Sequence, residues 1–291
     1  MSRRHAVMLV ALAAIWGASF MFIKVAVREV EPIALVWLRI TLAAAVLVPV
    51  AVATVGWSRV AAETRAAAGR LTLMGVVNSA IPFTLLAWAE TRIDSVLAAI
   101  LQAAAPLFTA LISMRFGDDR VTGSRLVGVF VGFVGVALLL GAPGGGDFVA
   151  ALAVVGTALC YASAGVFGAH TLRDTHPFVV GAGSMAIASL LTAPFGLAAL
   201  PDAVPGWKET GSVLLLGLVG TGIAYMFFFA ILRGAGASRS ILVTYLVPSA
   251  ALAYGVVLLD EPVRASAVAG LALILGGVAL GARRGRVASA A

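Results

Sequence analysis

The stretch VPSAALAYGVVLLDEPVRASAVAGLALILGGVAL, residues 247–280, decides the fold because the chain contains it twice. Moved back by 142 positions, it overlies APLFTALISMRFGDDRVTGSRLVGVFVGFVGVAL, residues 105–138, without a gap. Pro106 meets Pro248, Asp118 meets Asp260, and Asp119 meets Glu261. Gly128 falls on Gly270, and Gly135 on Gly277. The same offset puts Gly75 on Gly217, Ile81 on Ile223 and Phe83 on Tyr225. Further upstream an offset of 145 pairs Pro32 with Pro177, Pro49 with Pro194 and Trp16 with Tyr161. The chain therefore reads as one unit written twice, residues 1–145 and 146–291, joined by the Gly-rich APGGGD at 142–147.

Composition says what kind of unit this is. Of 291 residues 62% are apolar and 11% charged, and the mean hydropathy is +1.07. Soluble domains carry about 25% charged residues, so disorder and a soluble enzyme core are both excluded. The single Cys160 rules out a disulfide framework within the chain. Breaking the sequence at its charged, Gly and Pro clusters leaves ten apolar runs near 6–25, 33–53, 71–90, 95–114, 124–142, 148–169, 179–199, 211–232, 238–258 and 264–282. Runs of about 20 residues without period-two alternation are membrane-spanning helices, not barrel strands. The opening MSRRHAVMLVALAAIWG has the basic start of a signal peptide, but its apolar run continues to Phe22, which reads as an uncleaved first span.

Five spans per unit is an odd number, so the second copy enters the membrane inverted. The fold expected is an all-α integral membrane protein of ten helices in a 5+5 inverted repeat. Basic residues choose the orientation. With both termini in the cytoplasm, the inner side holds fourteen: Arg3, Arg4, Arg59, Arg65, Arg70, Arg115, Arg120, Arg125, Arg173, Arg233, Arg239, Arg283, Arg284 and Arg286. The outer side holds five, Lys24, Arg28, Arg92, Lys208 and Arg264, and Arg39 alone lies inside a span. The net charge of +7 is thus topology rather than nucleic-acid binding.

These stretches, with WGASFMFIKVAVREVEP at 16–32, resemble the EamA-type branch of the drug/metabolite transporter superfamily, over nearly the whole chain. The resemblance implies a ten-helix carrier of the bacterial inner membrane, commonly an exporter of amino acids or other small metabolites. Asp119 departs from the family's usual Glu, and Asp118 precedes it. The expected partners are a small-molecule substrate and the lipid bilayer. A monomer suffices as the working unit, and a dimer is left open. Zinc-ligand spacing, a Walker loop and a nucleophile elbow are absent, so neither cofactor nor enzyme chemistry is expected.

Ionisable groups inside a span mark function by default. All thirteen carboxylates fall in loops or at helix ends, which argues against a proton-trading exporter of drugs or quaternary cations and toward a facilitator. Two readings stand for Arg39, ~10 Å below the outer end of its helix. It pairs with Glu90 while Lys24 snorkels outward, or it attracts an anionic substrate group. The remaining candidates for substrate contact are Trp16, Ser19, Phe20, Asn78, Phe83, Gln102, Tyr161, Tyr225 and Tyr245. Trp16 with Tyr161 and Phe83 with Tyr225 stand out, because inverted twins facing one cavity form a site that either side can open. Pro106 and Pro248 predict matched kinks, as hinges or as static bends. Asp260 and Glu261 are expected to cap the helix that follows them. Besides transport, the sequence also allows a membrane scaffold or sensor built on the same repeat.

Overall fold

A computed structural model describes residues 3–116, 123–141, 147–235 and 242–281. All regular structure among them is helical. The elements are α1 Arg3–Ala26, α2 Pro32–Val55, α3 Trp57–Ala66, α4 Ala68–Gly75, α5 Ile81–Glu90, α6 Ser95–Gln102 and α7 Ala105–Phe116. They continue as α8 Gly123–Leu140, α9 Phe148–Thr171, α10 Pro177–Ala198, α11 Trp207–Leu214, α12 Ala224–Ala235, α13 Val243–Leu259 and α14 Ala265–Gly281. Two π-helical segments, Val76–Ala80 and Leu215–Ile223, join α4 to α5 and α11 to α12.

Eight helical stretches are long and apolar enough to cross a membrane, and α13 and α14 add two apolar helices of 17 residues. Phe130, Leu190, Phe195 and Val257 point outward, as they would toward lipid rather than water. The chain is an all-helical, multi-pass membrane protein. Between the apolar runs 33–53 and 71–90 the chain forms α3, which Arg59, Glu63 and Arg65 make too polar to enter the lipid.

Glycine sets the closest approaches. Where α8 crosses α14, a Cβ on Gly128 would strike the Gly277 carbonyl, and one on Gly277 would strike that of Gly128. The offset of 142 turns this contact into Gly270 against Gly135, and a Cβ on Gly135 does meet the Gly270 carbonyl. Farther along, Gly75 lies on the Ser184 carbonyl of α10, and Gly217 on Arg39 of α2, an equivalent pair under the two offsets. With no hydrophobic force between helices in lipid, such backbone approaches supply the packing that holds spans together.

The two prolines are not treated alike. At Pro106 the helix breaks at Ala103–Ala104 between α6 and α7, whereas α13 runs unbroken through Pro248. Pro248 withholds its bond from Thr244, in the first turn of α13, where one lost donor disturbs little.

Arg3, Gly234 and Gly281 lie at one end of the bundle, the N-terminal face, with His5 against Gly234 and Arg125 near Gly281. There Glu63 ties α3 to α10: its carboxylate accepts from Arg59 Nε at 2.6 Å and from the His176 backbone N–H at 2.8 Å. Burial pushes this carboxyl up, but the Arg59 guanidinium and the His176 N–H together hold it below its ordinary value. His176 moves down as well, through burial first and then the nearby Arg233 and Arg59.

Glu63 is lowered on folding, so its contribution is present above the unfolded value and is lost as pH falls through the folded one. Glu63→Gln is therefore expected to lower the thermal midpoint at neutral pH, with the difference from wild type closing below about pH 4, read by thermal scans at several pH values. Gly277→Val is expected to cost about 1–3 kcal/mol by overpacking. Gly276→Ala, at a position where a Cβ meets nothing within 4 Å, is expected to leave the midpoint unchanged in the same scans.

Candidate functional site

The buried polar groups of the bundle gather where α2 crosses the second π segment. A π turn bonds to the fifth residue back, which redirects side chains that a regular helix would point elsewhere. Thr221 shows the effect: its hydroxyl donates to the Leu216 carbonyl at 3.0 Å and accepts from Arg39 Nε at 2.9 Å. Arg39 is 6% exposed, and its guanidinium carbon stands 3.7 Å over the Phe83 ring. Such a contact offsets part of the cost of burying a cation. Asn78, within the first π segment, donates to the Tyr225 hydroxyl at 2.8 Å, and Tyr225 meets Phe229 edge-on. Tyr161 of α9 lies within electrostatic reach of Arg39.

Arg39, Asn78, Phe83, Tyr161 and Tyr225 are thus brought into one neighbourhood. The other candidates are not drawn in the same way. Trp16 stacks at a tilt on Phe228, 5.7 Å between centroids, in a separate apolar cluster with Leu9, Leu12 and Ile231, so it does not face Tyr161. Phe20 is packed into the main core. Ser19 donates to Ile15 of its own helix at 3.1 Å and sits against Gly220. Tyr245 is half-buried against the main core. Gln102 ends α6 with its Oε1 buried and unpartnered among the described residues.

The expectations about charge are met by different partners. Arg39 is in none of the ion pairs, and both carboxylate oxygens of Glu90 lack a hydrogen-bond partner among the described residues, so the Arg39–Glu90 pair is not formed. Arg39 is held by Thr221 and Phe83 instead. Lys24 is not left free: its ammonium donates to the Glu90 and Ile93 carbonyls at 2.8 and 2.7 Å. These two carbonyls lie at and just beyond the end of α5, where backbone acceptors have no helical partner.

A further correction concerns Asp260 and Glu261, which do not cap the helix after them. Asp260 takes the left-handed conformation (φ 56°) that ends α13, and the Glu261 N–H reaches back to the Gly255 carbonyl at 3.0 Å. That turn swings the Glu261 carboxylate onto the first amides of α6, Ser95 N at 2.8 Å and Val96 N at 2.9 Å. Asp94 makes no side-chain cap there, because it pairs with Arg264 at 2.8 Å. Two bonded pairs therefore cross between 1–145 and 146–291 on the face opposite the termini, and two more join them: Glu29 accepts from Gly206 N at 2.7 Å, and Arg92 lies 3.6 Å from Asp147. A void of about 20 Å³ remains under this seam, room for about one water. Asp118 and Asp119 lie outside the described residues.

Sequence reasoning did not single out Thr221, Ser79 or the π segments. Thr221 lies opposite Ser79 at the 142 offset, and Val76–Ala80 overlies 218–222 within the second π segment. The repeat was the signal that would have found them. Toward the N-terminal face, an apolar groove of about 560 Å³ runs between α7 and α9, past Ile112, Leu159, Ser163, Phe167 and His170. No cluster of metal-ligating side chains occurs among the described residues.

Known proteins match this arrangement. The EamA-like transporter family matches residues 4–141 and again 148–282. An uncharacterized transporter of Archaeoglobus fulgidus is 26% identical over 275 residues, 92% of this chain and 95% of that one. A probable terminal-alkyne amino-acid exporter of Streptantibioticus cattleyicolor is 30% identical over 222 residues, 74% of this chain and 73% of that one. A chain of known crystal structure, 21% identical, shares the fold with a TM-score of 0.67, covering 97% of this chain and 98% of its own. With the family matched over both halves and a helical bundle apolar on its outside, the chain belongs to the EamA-like transporter family and is a transporter, not an enzyme.

Proposed function

We propose that this protein exports small amino acids across a bacterial inner membrane by alternating access, with its termini in the cytoplasm. The two moving parts are inverted five-helix units, residues 1–145 and 146–291. The double family match, the paired glycine contacts and the overlapping π segments support that division. The excess of basic residues at the N-terminal face supports the orientation.

One observation carries the substrate class. Arg39 is a buried cation, gripped by a hydroxyl and an aromatic ring but by no carboxylate among the described residues. Its missing counter-ion is the carboxylate of the substrate, which a guanidinium binds in a planar, bidentate manner. The same positive charge repels a quaternary cation, which disfavours export of cationic drugs. The amino-acid exporter among the relatives points the same way. The bonded seam opposite the termini supports a conformation closed to the outside.

Liposomes reconstituted with the purified protein, loaded with a panel of amino acids, nucleosides, sugars and cationic dyes, test the reading. Amino-acid efflux is expected, and Arg39→Gln is expected to reduce it at least about tenfold, the equivalent of ~1.4 kcal/mol, with assembly intact. Movement of dyes or sugars but no amino acid would overturn the substrate class, and movement of nothing would favour the scaffold. Thr221→Val, which leaves a buried N–H donor unpaired at a cost of about 1–3 kcal/mol, is expected to lower the thermal midpoint by roughly 2–10 °C.

A further inference from the structure

Glu90 is fully buried, 0% exposed, at the end of α5 directly beneath the sealed seam, and neither carboxylate oxygen has a hydrogen-bond partner among the described residues. Nothing in the transport reading above uses it. Burial of a charged carboxylate is repaid only where donors or a close cation meet it. Each charged group around Glu90 makes its hydrogen bonds or ion pair with atoms other than the Glu90 carboxylate oxygens. From α1, Lys24 spends hydrogen bonds on the Glu90 and Ile93 carbonyls. From α2, Arg39 is held by Thr221 and the Phe83 ring. From the α13–α14 turn, Glu261 is a second acid, held by Ser95 N and Val96 N. At the start of α6, Asp94 pairs with Arg264. At the start of α9, Asp147 pairs with Arg92, and α9 carries no Asp, Glu, Lys, Arg or His before His170.

We propose that Glu90 is a proton-binding site that controls closure of the face opposite the termini. When that face is open, water reaches the carboxylate and it is ionised. Closure strips the water away and requires the carboxyl to take up one proton from the solution on that side. Reopening returns the proton to the same side, so no proton crosses the membrane and transport stays uncoupled. The site makes the exporter sensitive to pH on its exit side. This rests on the reading of the opposite face as one of the two openings of the transport cycle.

The test uses the full chain in liposomes with Cys160→Ser and a reporter, Leu97→Cys, at a residue 6% exposed beneath the seam. A membrane-impermeant maleimide is added to the side of that face, and labelling rates are compared with Glu90 present and with Glu90→Gln. The ratio of the two rates cancels the thiol's own pH dependence. One-proton linkage predicts that the ratio rises about tenfold per pH unit until the open form dominates. A ratio flat with pH overturns the proposal. Glutamine mimics the protonated acid, so a Glu90→Gln protein that fails to assemble overturns it too. Infrared spectra of the purified protein at neutral pH give a second readout: Glu90→Gln should remove a protonated-carboxyl band. Removal of an ionised-carboxylate band instead would mean that Lys24 neutralises Glu90 as an ion pair, and the proposal fails. Neither readout uses a substrate, so a failure of amino-acid export would leave both standing.

Discussion

Everything in this molecule depends on the backbone contact of α8 with α14. In lipid no hydrophobic force drives helices together, and the crossing is held by how closely the backbones approach. Gly128 and Gly277 allow each helix to rest on the carbonyl of the other. Gly135 in turn lies on the Gly270 carbonyl, whereas Gly270 faces the Leu139 side chain. The offsets likewise relate Gly75 on the Ser184 carbonyl to Gly217 beside Leu42 and the Arg39 carbonyl, so one rule of equivalence covers these contacts.

Function enters where the rule is broken. Arg39 occupies in α2 the place that Ser184 occupies in α10. Ser184 satisfies itself by donating to the Val180 carbonyl at 2.6 Å, whereas Arg39 must reach across to Thr221. The counterpart of Thr221 is Ser79, a fully buried hydroxyl that faces Tyr225 rather than a cation. One half thus carries a cation with a built receptor, and the other carries the receptor position alone. An asymmetric substrate with one anionic end suits a frame of this kind, in which the halves are alike in packing and unlike in charge.

Helix positions and the repeat were legible in the sequence because they depend on long apolar runs and on residue identity at fixed offsets. Arg39, Phe83 and Tyr225 were legible for the same reason, as a lone charge in a span and as a repeated aromatic pair. What escaped was set by register and direction. Glu261 was assigned to the nearest helix in sequence, but the left-handed turn at Asp260 aims it at α6, 165 residues away from Val96 along the chain. Glu90 stood at a helix end, which sequence reads as wet, yet it is fully buried, with Lys24 of α1 and Glu261 of the α13–α14 turn nearby. Trp16 and Tyr161 are equivalent in the repeat, but Trp16 packs with Phe227 and Phe228 in a separate apolar cluster, whereas Tyr161 packs against the main core.

The π segments have a further consequence for how such a protein changes over time. Each winds in surplus backbone relative to an α-helix, and a regular helix turns about 100° per residue. The faces that Phe83 and Glu90 present are therefore fixed upstream, by the winding of Val76–Ala80, as that of Tyr225 is fixed by Leu215–Ile223. Loss of a single residue there would re-aim every side chain beyond it by about a quarter turn while leaving the apolar span long enough to cross the bilayer. Insertions and deletions within these two short segments are thus a route by which one scaffold acquires a new lining without a substitution in the lining itself.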